Sequence, residues 1–122
     1  MIAKAKGFPI RDEYKSQLER DFAANLRGRQ LAGELVEVQY ESVRLKLGTS
    51  GDKKRARDLF WTPDFLVLYA DMRLAFYEVK GSWQAKNQRD ARTRIRVAAK
   101  QFPFLRFVGV TRIDGFWRYE EF

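Results

Sequence analysis

The chain has 122 residues, with 24 Lys and Arg against 16 Asp and Glu and a formal charge of +8. One domain spanning 1–122 and built around one sheet is expected at that length, and the excess positive charge suits a polyanionic partner, nucleic acid first. There is no cysteine and no histidine, which excludes disulfides, the usual structural zinc sites, histidine general bases and thiol nucleophiles.

Any catalysis must therefore use carboxylates, lysine, hydroxyls or hard metal ions. No apolar run reaches bilayer length, and Met1–Lys6 lacks the apolar segment of a signal peptide; a soluble, intracellular, cytoplasmic protein with no membrane partner is expected.

Met1 to Arg11 is basic and unpatterned and reads as a surface arm. From Asp12, a fair N-cap, Tyr14, Leu18, Phe22 and Leu26 recur every fourth residue, which predicts a helix ending at Gly28 or Gly33, with a break near Gly28 favoured. Glu34 to Leu47 alternates as a strand, but Val36, Val38 and Tyr40 share one parity while Val43, Leu45 and Leu47 share the other. A bulge or bend near Glu41-Ser42 follows. Gly48 to Asp58 is rich in glycine and charge and reads as a mobile loop, whose Lys53, Lys54, Arg55 and Arg57 are candidate phosphate contacts.

Two apolar strands follow, Phe65–Tyr69 and Leu74–Tyr77, the second running on into Glu78-Val79-Lys80-Gly81. A second helix is predicted from about Asn87 to Gln101, burying Ala91, Ile95, Ala98 and Phe102 and stopped by Pro103. Arg92, Arg96 and Lys100 fall at successive i+4 positions beside Arg89, so one face carries a line of cations suited to phosphates. A buried strand over 104–111, a turn at Asp114-Gly115 and a strand at Phe116–Tyr119 close the chain. The strand–helix–strand passage from Leu74 to Val110 predicts a crossover between parallel strands. The fold class is α/β (α+β with a mixed sheet), in the order α-β-β-β-α-β-β.

The acidic groups of the two central strands cluster at one end. Glu78 and Lys80 share a face and Val79 points the other way, into the core. Asp64 joins them if the hairpin loop holds an odd number of residues, as Ala70, Asp71 and Met72 would. Two carboxylates across one ladder stand about 4.5–5.5 Å apart at Cα, close enough to share a divalent ion that relieves their repulsion. Asp64 and Glu78 supply hard oxygen ligands suited to Mg2+, with Mn2+ as substitute, and Lys80 can orient the attacking water and stabilise developing negative charge. This chemistry serves phosphodiester hydrolysis.

Pro63-Asp64, thirteen residues, then Glu78-Val79-Lys80 resembles the PD-(D/E)XK nuclease superfamily, and the continuation EVKGSW…DARTRIRVAAKQFPFLRFVGVT is similar to a small phage-type endonuclease branch of it. The resemblance covers nearly the whole chain. It implies a restriction-endonuclease-like core, phage origin, and a Mg2+-dependent deoxyribonuclease acting on DNA, branched or junction DNA included. The runner-up readings are an exonuclease or the cutting subunit of a larger complex, and a non-catalytic nucleic-acid-binding module; a homodimer is compatible with all of them. The resemblance also implies catalytic Asp64, Glu78, Lys80 and Glu19, with the Val79 carbonyl and Glu19 joining the two strand carboxylates as metal ligands. Met72 stands where many relatives have a turn glycine, and Lys86, Lys100 and Gln101 each fit the accessory polar position of the second helix.

Overall fold

The computed structural model of the chain describes residues 14–51, 54–82 and 89–122, apart from the side chains of Ser50 and Arg89. The arm at Met1–Arg11, the cap at Asp12, and Lys53, Lys86 and Asn87 lie outside the described residues.

Helix α1 spans Gln17–Leu31 and begins later than its apolar spacing suggests. Its cap is Ser16, whose hydroxyl accepts the Glu19 amide at 3.1 Å and so satisfies one of the open N–H groups of the first turn. Tyr14 precedes the helix, yet it still packs edge-on against Tyr40 at 4.8 Å. The helix continues through Gly28. It stops at Gly33, whose φ of +87° lets the Glu34 amide bond back to the Arg29 carbonyl at 3.0 Å.

The alternating stretch that follows is two strands in two different sheets. β1 (Leu35–Tyr40) pairs with β4 (Phe65–Tyr69), whereas β2 (Leu45–Ser50) pairs with β3 (Arg57–Trp61). The change of parity marks the crossing between sheets, turned at Glu41 with φ +48°. Much of the segment read as a loop is thus a hairpin, in which Thr49 faces Asp58 and Ser50 faces Arg57. Thr49 and Asp58 bond through their side chains at 2.8 Å. Arg57 and Asp58 are polar and Leu59, Phe60 and Trp61 follow as an unbroken apolar run, so β3 shows no alternation to read, which is why sequence pattern missed it.

The main sheet has the order β1-β4-β5-β6-β7, with β5 at Leu74–Val79, β6 at Arg106–Ile113 and β7 at Phe116–Glu121. β5 and β6 are parallel across helix α2 (Arg89–Gln101) and the other neighbours are antiparallel. The architecture is therefore mixed α+β, a mixed five-stranded sheet with two helices, in the order α-β-β-β-β-β-α-β-β. The β6–β7 turn carries φ +53° at Asp114 and +81° at Gly115, the pair of left-handed residues that a two-residue hairpin needs.

Strand periodicity sorts the core onto two faces. Phe65, Val67, Ala75, Tyr77, Val79, Val108 and Val110 meet Phe22, Ala23 and Leu26 of α1. Phe76 and Phe107 meet Ile95 and Ala98 of α2, together with Leu45, Leu47 and Trp61 of the ribbon. Fully buried Phe22 lies 5.8 Å from Phe65 and 5.0 Å from Trp117, ring to ring; such a side chain contributes about 1.5–3 kcal/mol of burial. Among the described residues, no helix is long and apolar enough to cross a membrane.

Candidate active site

The hairpin of β4 and β5 pairs Phe65 with Tyr77 and Leu68 with Leu74, and the Tyr69 amide bonds the Arg73 carbonyl at 2.9 Å. Ala70, Asp71 and Met72 are left as the loop. Its odd length puts Asp64 and Glu78 on the same face, one step beyond the last ladder pair.

Each carboxylate is held by the other residue's strand. Glu78 Oε1 accepts the Asp64 amide at 3.0 Å, and Asp64 Oδ2 accepts the Val79 amide at 2.8 Å. Lys80 Nζ stands 3.3 Å from Glu78 Oε2. The base of the site is tied down too, since the Lys80 amide bonds the Val110 carbonyl at 2.9 Å and the Glu41 amide bonds the Asp64 carbonyl at 2.8 Å. Val79 itself points into the α1-side core. Its amide faces Asp64, and because the N–H and C=O of a strand residue project toward the same neighbour, its carbonyl faces that side as well.

Asp64 and Glu78 are 7% and 5% exposed, so both titrations are displaced. Burial pushes the Asp64 carboxyl up to about 8, reinforced by the negative charges of Glu78 and Glu19 and opposed by the Val79 amide and Lys80. Burial also raises Glu78, against the pull of the Lys80 charge, the Asp64 amide and Arg94. Two desolvated acids that repel one another form a site a cation would stabilise.

Glu19 corrects the sequence reading in part. Its charge is felt at Asp64, yet its carboxylate accepts the Tyr40 hydroxyl at 2.5 Å, and among the described residues no three acidic groups gather into a metal-binding cluster. Bond formation with Tyr40 satisfies an acid that would otherwise lie uncompensated beside Asp64. Lys15 adds a cation to this rim, paired to Glu41 at 2.7 Å, and its own pKa is raised, chiefly by that bond. The residues present still fit a hard divalent ion, because magnesium takes one or two carboxylates and fills its remaining positions with water and substrate oxygens. Asp64, Glu78 and the Val79 carbonyl offer that set.

The cationic residues divide. Arg96 and Lys100 are exposed on α2, as are Lys54, Arg55 and Arg57 on and beside the ribbon. Arg89 opens α2 with its side chain outside the described residues, as Lys53 is. Arg92 departs from the expected open line of charge: its guanidinium forks onto Glu120 of β7, one bond at 3.0 Å, and lies 5.4 Å from the Phe122 ring centre. A cation flanking the buried stripe of α2 finds an acid on the neighbouring strand, which helical spacing cannot reveal.

Sequence reasoning missed Arg94. It lies on the other flank of the Ala91–Ile95–Ala98 stripe and is the α2 cation whose charge reaches Glu78; its spacing of three from Ala91 and four from Ala98 was the available signal. Lys100 and Gln101 sit six and seven residues further along α2, about 9 and 10.5 Å down the axis, and are correspondingly poorer candidates for an accessory role at the carboxylates.

No family model matches this chain, and no curated protein or solved structure is similar to it at a significant level.

Proposed function

We propose that this protein is a divalent-metal-dependent deoxyribonuclease, an endonuclease with a restriction-endonuclease-like core whose substrates include branched or junction DNA. The observation that carries the reading is the reciprocal pairing of Asp64 and Glu78, each carboxylate bonded to an amide of the opposite strand, with Lys80 against Glu78. A buried acidic pair lowers the stability of the fold, and a role in holding a cation gives a reason for keeping it.

Asp64, Glu78 and the Val79 carbonyl would hold Mg2+ or Mn2+, with Glu19 as an outer carboxylate restrained by Tyr40. The ion supplies Lewis acidity at the phosphoryl oxygen and a water of lowered pKa for direct hydrolysis, with no covalent enzyme intermediate. Lys80, 23% exposed at its side chain, orients the attacking water and offsets negative charge that builds on the phosphorus-bound oxygens. Arg94 adds a second positive charge on the Glu78 side. The ribbon joins the site through Trp61-Thr62-Pro63 and carries Lys54, Arg55 and Arg57 toward the backbone of a bound duplex.

The test is cleavage of labelled duplex, single-stranded and four-way-junction DNA by wild type, Glu78→Ala and Lys80→Ala, each with magnesium, manganese, calcium or EDTA. Magnesium-dependent cutting lost in both variants, with DNA binding kept, is expected. Equal cutting by all three proteins would assign the activity to a contaminant, and binding without cutting in every metal would leave a nucleic-acid-binding module.

A further inference from the structure

At the other end of β4, five residues from Asp64 and so about 17 Å along the strand, a second polar concavity of about 310 Å³ opens on the α1 side of the sheet. It is lined by Arg29, Glu34, Tyr69, Tyr77, Arg106 and Tyr119, contributed by α1, four strands and the turn after α1. Its lining includes neither Asp64, Glu78 nor Lys80, although Tyr77 directly precedes Glu78 on β5.

Its donors outnumber its acceptors. The Tyr69 and Tyr77 hydroxyls are bonded to one another. Tyr69 also accepts Arg106 Nη1 at 3.2 Å and Tyr77 accepts Arg29 Nη2 at 3.4 Å. Each phenol has a single proton to give, so only one can donate across the pair, and the other's proton is left without an acceptor among these four groups. Burial raises the Tyr77 pKa to about 12 and also raises that of Tyr119, so both remain neutral donors near pH 7.

The guanidiniums are oriented without being used up. Arg29 forks onto Glu34 through Nε at 3.0 Å and Nη2, and Arg106 forks onto Glu121 through Nε at 2.9 Å and Nη2; with the tyrosine bonds this leaves only part of each five-donor group open. The partner carboxylates are outer ones, 50% and 56% exposed, where water weakens a pair.

Tyr69 and Arg106, at the end of the sheet, also line a larger recess of about 710 Å³ together with Leu74, Pro103 and Phe104. Phe104 is 79% exposed and Met72, also on the wall, 69%. A fork of guanidiniums and phenols matches the several oxygens of a phosphate, and an adjoining apolar wall matches a flat base.

We propose that this end of the sheet is a second binding site, for a nucleotide-type phosphomonoester, with the phosphate on Arg29, Arg106 and the tyrosine hydroxyls and the base against Leu74, Pro103 and Phe104. A free mononucleotide and the phosphorylated end of a nucleic-acid strand present the same chemistry. The site is independent of the metal-dependent reading of Asp64 and Glu78.

Calorimetric titration in EDTA with 5′-deoxyadenosine monophosphate, deoxyadenosine, inorganic phosphate, and an oligonucleotide with and without a 5′-phosphate tests it, with amide NMR shifts reporting location. Expected are binding of the mononucleotide, at least tenfold weaker binding of deoxyadenosine, and shifts at Tyr69, Tyr77 and Arg106 rather than at Asp64 and Val79. Arg106→Gln should weaken the mononucleotide about tenfold or more and Tyr77→Phe several-fold, while Glu78→Ala leaves it unchanged. Tyr77→Phe keeps the ring packing, so its loss of affinity cannot be put down to unfolding if its thermal midpoint matches wild type. A preference for the phosphorylated oligonucleotide identifies a strand end as the source, and binding of the mononucleotide alone identifies the free nucleotide. No binding of the mononucleotide, equal binding of deoxyadenosine, indifference to both variants, or shifts centred on Asp64 would overturn the proposal.

Discussion

Replacing Asp64 with asparagine should stabilise the metal-free protein at neutral pH and do nothing for it in acid. Asp64 is buried beside Glu78 with its carboxyl pushed up to about 8. A carboxyl whose folded pKa lies above its unfolded one binds more protons folded than unfolded between the two values. Stability then falls as pH climbs from about 4 to about 8 and is level outside that window. At roughly 1.4 kcal/mol per unit, the cost at neutral pH is on the order of 4 kcal/mol. Asparagine keeps an oxygen for the Val79 amide, which Asp64 accepts at 2.8 Å, and it removes the charge that Glu78 repels. Urea unfolding in EDTA at a series of pH values reads the difference. Wild type should lose stability across the window, with a shallower slope in Asp64→Asn, where only Glu78 still titrates upward. Millimolar magnesium should restore wild type above pH 7 and leave the variant unmoved. A variant less stable than wild type by the same amount at pH 4 and pH 8 would show that Asp64 acts only as a structural acceptor and refute the argument.

Met72 holds φ +72° while 69% exposed, so Met72→Gly should raise stability by about 0.5–1 kcal/mol, the left-handed strain relieved less the added unfolded-chain entropy, as urea unfolding would measure. Arg92→Ala should cost about 1 kcal/mol or less through the half-exposed Glu120 pair. It should also change the salt dependence of DNA affinity less than Arg96→Ala or Lys100→Ala, each of which is expected to flatten the logarithmic slope by about one unit. Arg94→Gln should raise the Glu78 pKa further, since its charge now opposes that rise, and should lower the cleavage rate while leaving the fold intact, as single-turnover kinetics and circular dichroism would show.

What could be read from the sequence is what repeats at a fixed period or sits on a short ladder. Glu78 and Lys80 share a face by strand parity alone, and an odd loop of Ala70, Asp71 and Met72 was enough to bring Asp64 opposite them. The stripes of Phe22 and Leu26, and of Ala91, Ile95 and Ala98, mark the helix faces that are buried. Period fails where a neighbouring element decides. Ser16 displaced the expected cap, Gly28 proved compatible with a continuing helix, and Glu41 sent the alternating stretch into a second sheet. Long-range polar choices were equally hidden: that Glu19 would take Tyr40, Arg92 would take Glu120, and the Arg94 charge would reach Glu78 depends on how the helices lie on the sheet.

The same geometry explains why the carboxylates are buried at the end of the hairpin and not along it. Beyond Phe65 the ladder has no further β4 residue to pair, and the Asp64 and Val79 amides at this point take side-chain carboxylates as acceptors. Buried amides need acceptors, and these two are met by acids rather than by the next carbonyls. Each acid is thereby fixed in direction by a backbone bond, so little rotamer freedom remains to be lost when a ligand binds. The cost is the burial, and after it the charge repulsion, that raises Asp64, and Lys80 offsets only part of it from 3.3 Å away on Glu78. Under the proposed metal-dependent reading, such a site would be rigid before an ion arrived and least comfortable when doubly ionised, the condition under which a divalent cation would gain the most from binding.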